Sequence, residues 1–296
     1  MTRTEITYLI PEKDDGRTVA QVLRSRGFSR HLITQVKYRM NGLMLDGERV
    51  RTNVRVRPGQ SLRADLSGQQ ENEHILPVHL PIRIAYEDED ILVADKPAAM
   101  PVHPSQGNYD NTLANALAYV FAQRGEPFVC RAIGRLDRDT TGLVLFAKHE
   151  LSGCLLSDAM KRRAIRREYY AVCTGELPEQ GTIDAPIARV DGSTIAREVD
   201  FARGEHAVTH FWRERFENGY SLARVQLETG RTHQIRVHMK YIGHPLPGDF
   251  LYCPGDKVIN RQALHSHRLT FAHPITGAQI RLESPLPDDM KRIFER

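Results

Sequence analysis

From about residue 75 onward the chain is patterned for strands, and its helical stretches are too few to alternate with them. Residues 82–97 alternate in the β manner, with Asp88-Glu89-Asp90 as the turn between two strands. Further strands are predicted at 142–148, 167–176, 206–216, 220–231, 232–240 and 279–286, and helices at 111–125 and roughly 150–163. A doubly wound parallel sheet needs strands and helices in regular succession. The sequence therefore favours an α+β fold with a mixed, mostly antiparallel sheet.

The first 65 residues differ in character. Val19, Val22 and Leu23 recur at helical spacing before Gly27, and Ser29 is placed to cap a second helix. Leu32, Ile33 and Val36 form one face of that helix and leave Arg30, Lys37 and Arg39 displayed. Asp46-Gly47 between short apolar runs reads as a hairpin, followed by Val54 and Val56 alternating with Arg55 and Arg57 and by a Pro58-Gly59 turn. Residues 1–65 hold 13 Lys+Arg against 7 Asp+Glu, whereas the remainder holds 28 against 30. The excess positive charge of the whole chain thus lies in its N-terminal fifth, a distribution shared by nucleic-acid-binding appendages and by ordinary solvated basic faces. Ser29-Arg30, Asn41-Gly42, the Asp46-Gly47 turn and residues 56–60, in this order, resemble the RNA-binding module first described in small-subunit ribosomal protein four. That resemblance implies phosphate contacts by Arg24, Arg26, Arg30, Lys37, Arg39 and Arg55. The polar stretch 67–74 reads as a linker, so the expected division is a module over 14–65, a linker over 66–79 and a second domain over 80–296.

Composition removes other classes. With 41% hydrophobic and 26% charged residues the chain can bury a core without staples. The four cysteines form no CxxC pair, which argues against a zinc ribbon and for reduced thiols in the cytoplasm. The first residues lack the apolar core of a signal peptide, and no apolar run approaches the ~18 residues of a membrane span.

Two segments carry unusual chemistry for their position. Residues 134–145 run from a charged turn straight into an apolar strand, so Asp137 is expected on a loop at the mouth of the sheet, though Asp137 and Asp139 also suit a simple turn-capping role. Read as a strand, residues 231–238 place Arg231, His233, Ile235 and Val237 on one face, and Thr232, Gln234, Arg236 and His238 on the other. His233 and His238 then point apart, and no thiol or carboxylate cluster accompanies them, so no metal is expected. In a third stretch, Tyr169 and Ala171 share a strand face.

Taken together, these segments resemble the RluA family of pseudouridine synthases. Residues 134–143 are similar to its catalytic loop, 229–239 with Ile242-Gly243-His244-Pro245 and Gly248-Asp249 to its second block, 95–103 to its Lys-Pro block, and 264–274 with 285–287 to its C-terminal block. The likeness departs from the family pattern at Gly134 (usually His), Ala99 (usually Gly), Thr141 (usually Ser) and Arg167 (often Lys). The resemblance implies isomerisation of uridine in structured RNA without cofactor or metal, with Asp137, Tyr169 and Arg231 in the catalytic machinery. It further implies Ile235 as an apolar wall and Arg135 as the side chain that fills the space of a flipped base. Arg231 is the expected partner of the Asp137 carboxylate, which must stay ionised while shielded from water. Ribosomal RNA is the expected substrate and a monomer the expected state. Transfer RNA, or a non-catalytic RNA-binding role in ribosome assembly, are the alternatives.

Overall fold

The computed structural model describes residues 1–67, 75–105 and 107–295, so half of the expected linker, residues 68–74, lies outside the described residues. In chain order the elements are β1 (Glu5–Leu9), α1 (Val19–Ser25), α2 (Arg30–Tyr38), β2 (Leu43–Leu45), β3 (Glu48–Arg49), β4 (Ser61–Asp65), β5 (Arg83–Glu87), β6 (Ile91–Lys96) and α3 (Leu113–Gln123). They continue with β7 (Thr141–Ala147), α4 (Glu150–Lys161), β8 (Arg166–Thr174), β9 (Gln180–Asp184), β10 (Ile187–Arg189), β11 (Arg197–Val199), β12 (Val208–Glu217) and β13 (Tyr220–Leu227). The last are α5 (Gln234–Tyr241), β14 (Leu264–Ala272), β15 (Gln279–Glu283) and α6 (Asp288–Lys291).

The N-terminal elements follow from local chemistry. Thr18 and Gln21 form a reciprocal capping box on α1, and the Ser29 hydroxyl accepts the Leu32 N–H at the start of α2. Asp46 and Gly47, with φ of 51° and 86°, make the tight turn joining β2 to β3. β1 pairs with β4, which pairs with β2, in the order β1-β4-β2-β3. Residues 5–9, ahead of the expected start at 14, therefore belong to this sheet. Val54–Arg57 form no regular strand, only an isolated bridge from Arg55 to Thr18. Val19, Val22, Leu23, Leu32, Ile33 and Val36 fill a core that also takes in Leu151 of α4.

The second sheet has nine strands in the order β5-β6-β7-β14-β8-β13-β12-β9, with β15 beside β14. All its pairings are antiparallel except β14 with β7, which makes the sheet mixed and mostly antiparallel. α3 covers one face of β6–β7 through Leu113, Leu117 and Phe121, and α4 covers the other through Leu156. In β8, alternation sends Tyr169, Ala171 and Cys173 to the face covered by α5 and Val172 to the face covered by α6. Among the described residues no helix is long and apolar enough to cross a membrane, and all four cysteines are unpaired.

β9, β10, β11 and α6 were not foreseen in the sequence, and two further departures bear on the site. Residues 232–240 were predicted as a strand, yet Gln234–Tyr241 is the helix α5. Every residue from Gln234 to Met239 is buried, so neither a period of 2 nor one of 3.6 marks an exposed face. The polar ones are tied internally: Gln234 donates to the Val208 carbonyl (2.9 Å), and His238 bonds Thr209 Oγ1 and the Ala185 carbonyl (2.8 Å each). The second departure is β14, at the centre of the sheet, which no alternating pattern announced. His265, Ser266 and His267 interrupt its apolar run, and each is buried with a partner: Thr141 Oγ1, the Leu143 carbonyl and the Ser284 carbonyl respectively.

Candidate active site

Asp137 lies on the loop entering β7, as its sequence context implied, with 27% of its side chain exposed. Its carbonyl accepts the Thr140 N–H at 3.1 Å, closing a turn before the strand. Gly142 then passes so close to β14 that a Cβ there would stand 2.2 Å from the Ser266 carbonyl oxygen, with φ at +107°. Only glycine permits that approach, and it anchors the strand behind the aspartate. The neighbouring Asp139 turns away to pair with Arg138 (2.9 Å).

The cation beside Asp137 is Arg236. Its Nη1 donates to Asp137 Oδ2 at 2.9 Å, while Nε and Nη2 donate to the two oxygens of Asp249 at 2.6 and 2.8 Å. Side-chain exposure is 3% for Arg236 and nil for Asp249. Burial works against the guanidinium charge, but the two carboxylates outweigh it and hold Arg236 above the ordinary arginine value. A planar fork can serve two carboxylates at once, which a point-like ammonium cannot. Arg231, the partner expected from the strand reading, points elsewhere. It pairs with Glu205 and donates from Nε to the His206 carbonyl at 3.1 Å. The correction follows from the backbone: residues 230–233 turn into α5 instead of continuing β13, so residue 236 faces the aspartate.

Three further residues complete the surroundings. His233, in the left-handed region at φ 59°, brings Nε2 to 3.9 Å from Asp137 Oδ2. Its Nδ1 lies 2.9 Å from the Tyr252 hydroxyl, which also accepts the Arg197 N–H at 2.9 Å. With that N–H accepted, the hydroxyl hydrogen is free to point at Nδ1, leaving the ring proton on Nε2 toward Asp137. Burial pulls His233 below its usual value against the opposing field of Asp137, so the ring is neutral near pH 7. Lys96, 1% exposed, donates to the carbonyls of Pro97 (2.8 Å), Met100 (2.7 Å) and Arg138 (2.8 Å), one per ammonium hydrogen. It thereby ties the Lys-Pro segment to the residue after Asp137. Burial pushes its pKa down to about 7, against the Asp139 and Asp137 carboxylates.

That value implies a measurable pH effect. Above about pH 7 the neutral amine has only two hydrogens, so one of the three carbonyls loses its donor and the Asp137 loop loosens. Activity is expected to fall on that alkaline side with release of one proton, and Lys96→Arg, which does not titrate there, should remove this limb from the pH–rate profile. An unchanged limb in Lys96→Arg would exclude Lys96 as its source.

Tyr169 is buried in one apolar cluster with Ile235, Leu264 and Leu136. Exposed Arg135 borders a cavity of about 20 Å³ together with Leu136, Tyr169 and Arg167. The N-terminal cations divide. Arg24, Arg30 and Lys37 are exposed and make no ion pair among the described residues. Arg26 instead pairs with buried Asp14 (3.1 Å), Arg39 donates to the Asp65 carbonyl (2.7 Å), and Arg55 donates to the Gly16 carbonyl. These three are engaged with acceptors inside the N-terminal unit.

A carboxylate clamped by a buried arginine thus lies at the mouth of the mixed sheet, and residues 90–241 match the RNA pseudouridylate synthase family. The chain belongs to that family. It is 39% identical over 279 residues to the uncharacterized RNA pseudouridine synthase YjbO of Bacillus subtilis, covering 94% of this chain and 98% of that protein. It is 41% identical over 239 residues to ribosomal large subunit pseudouridine synthase D of Zymomonas mobilis (75% and 74% covered), and 33% identical over 321 residues to that of Escherichia coli O157:H7 (99% and 94% covered). Among solved structures, human RNA Pseudouridylate Synthase Domain Containing 1 shares the fold, with a TM-score of 0.60 and 22% identity over 72% of this chain and 88% of that one.

Proposed function

We propose that this chain isomerises one or a few uridines of large-subunit ribosomal RNA to pseudouridine, with Asp137 as the group that acts on the nucleotide. The observation that carries this reading is the Arg236 fork, which donates to Asp137 and is itself locked by Asp249. The reaction breaks the bond from the sugar to N1 of uracil, rotates the base, and joins the sugar to C5. The C5 proton leaves and N1 gains one, so the product is an isomer. Arg236 donates to Asp137 and so orients its side chain in a half-sheltered loop. Tyr169 and Ile235 supply the apolar wall against which the detached base rests. Arg135, two residues before Asp137 and exposed, is positioned to enter the space left when the uridine flips out.

The substrate class rests on the relatives whose names specify the large ribosomal subunit. The N-terminal sheet and helices act, in this reading, as an RNA-holding unit through Arg24, Arg30 and Lys37. Replacing those three with Gln should flatten the slope of log affinity against log salt by about 2–3, at 0.7–0.9 per lost phosphate contact, and leave turnover at saturating RNA unchanged. A slope equal to that of the wild type would remove RNA holding from this unit. The function itself is tested by pseudouridine mapping on total RNA from cells with and without the gene. Loss of one or a few sites in large-subunit RNA is expected; loss confined to transfer RNA, or no loss, would overturn the substrate assignment.

A further inference from the structure

Arg167 is one of the positions at which the chain departs from the pattern it resembles, and Gly134 is another. They meet in space. A Cβ on Gly134 would stand 3.6 Å from Arg167 Nη1, and one on Gly230 would stand 3.3 Å from Nη2 and 4.0 Å from Cζ. The guanidinium thus spans the gap between the loop that carries Arg135 and Asp137 and the loop that leads to His233. It projects from β8 on the same face as Tyr169, two residues away, and borders the small cavity shared with Arg135, Leu136 and Tyr169. Among the described residues it has no ion pair and no hydrogen bond, although it is only partly exposed. Most of the arginines around it are engaged: Arg236 with Asp137 and Asp249, Arg163 with Glu228, Arg231 with Glu205 and Arg268 with Glu168. Glycine at 134, with φ at +91°, leaves the room this guanidinium occupies, and a larger side chain there would displace it.

A fork of five donors held at the rim of the site without a protein acceptor fits an anionic, multi-oxygen group from the substrate. We propose that Arg167 binds a backbone phosphate of the RNA strand next to the uridine presented to Asp137, and that Gly134 is small so that it can. The inference rests on the proposed RNA reaction and deepens it by assigning a phosphate subsite beside Arg135.

The test compares Arg167→Gln, Arg167→Lys and Arg166→Gln in the full chain, on a transcript containing the mapped uridine. Arg166 is exposed, precedes Arg167 on β8 and points to the opposite face, so Arg166→Gln controls for loss of one surface charge. For Arg167→Gln, KM is expected to rise about 10–100-fold with kcat within about threefold, because a phosphate contact is made equally in ground and transition states. The slope of log affinity against log salt should fall by about 0.7–0.9. Arg167→Lys should restore that slope while recovering only part of the affinity, since a point charge cannot grip two oxygens. Arg166→Gln should leave KM near wild type. An unchanged KM and slope in Arg167→Gln, or a fall in kcat alone, would overturn the proposal. Wild-type protein that binds the transcript without turnover would instead sink the proposed reaction, and the binding slopes of the variants would still decide the role of Arg167.

Discussion

Asp137→Asn is expected to reduce pseudouridine formation by at least about 10⁴-fold while leaving RNA affinity within a few-fold of wild type. The substitution is isosteric and keeps an oxygen for Arg236 Nη1, so the loop geometry held at 2.9 Å should survive. It removes the charge, and with it the capacity to assist cleavage of the bond from sugar to base. The measurement is release of tritium from C5-labelled uridine in a transcript, read beside the melting temperature. Residual turnover within tenfold of wild type would show that another group performs the chemistry. A large drop in melting temperature would reveal a structural role for the carboxylate instead.

The second large effect separates two arginines. Arg236→Met leaves the buried Asp249 carboxylate without its counter-cation, only the Leu251 and Tyr252 N–H groups still donating to it, which costs about 3–5 kcal/mol and should lower Tm by about 10 °C or more. Arg236→Lys keeps a charge but cannot serve both carboxylates, and kcat/KM is expected to fall about 10²–10³-fold with a smaller loss of stability. Arg231→Gln removes an exposed pair with Glu205 and an exposed hydrogen bond to the His206 carbonyl, so stability should change by about 1 kcal/mol or less and turnover by less than threefold. If Arg231→Gln were the inactive variant and Arg236→Lys the active one, the side-chain arrangement described for this site would be wrong.

The contrast between these arginines shows where the sequence was readable. Strands such as β8 and β13 alternate because their two faces meet different surroundings, and amphipathic α2 shows its period because one side meets water. α5 has no such asymmetry: Ile235, Arg236, Val237 and His238 are all buried, and the polar members are satisfied by Asp249, Thr209 and the Ala185 carbonyl, which lie far away in sequence. A strand register for that stretch put Arg231 with Ile235, whereas the helix turns residue 236 toward the aspartate. His265, Ser266 and His267 concealed β14 for a similar reason, since their partners come from β7 and from the residue after β15. Arg26 and Arg39 looked like displayed cations because nothing nearby in the chain announces Asp14 or the Asp65 carbonyl as their acceptors. The loop position of Asp137 and the shared strand face of Tyr169 and Ala171 were legible from local pattern, and Lys96 went unread because its acceptors are backbone atoms.

The position of β14 has a consequence for how the molecule comes into being. Thr141 at the start of β7 meets His265 of β14 across 124 residues of chain, and β14 also supplies the inner neighbour of β8. During synthesis β7 and β8 therefore emerge with a strand-wide gap between them that is filled only near the end of translation. Such distant pairing slows closure of the sheet. Arg236 and Asp249 are made late as well, so a nascent chain can carry Asp137 without the partners that orient it. The N-terminal sheet, whose strand pairings all fall within residues 5–65, can form long before.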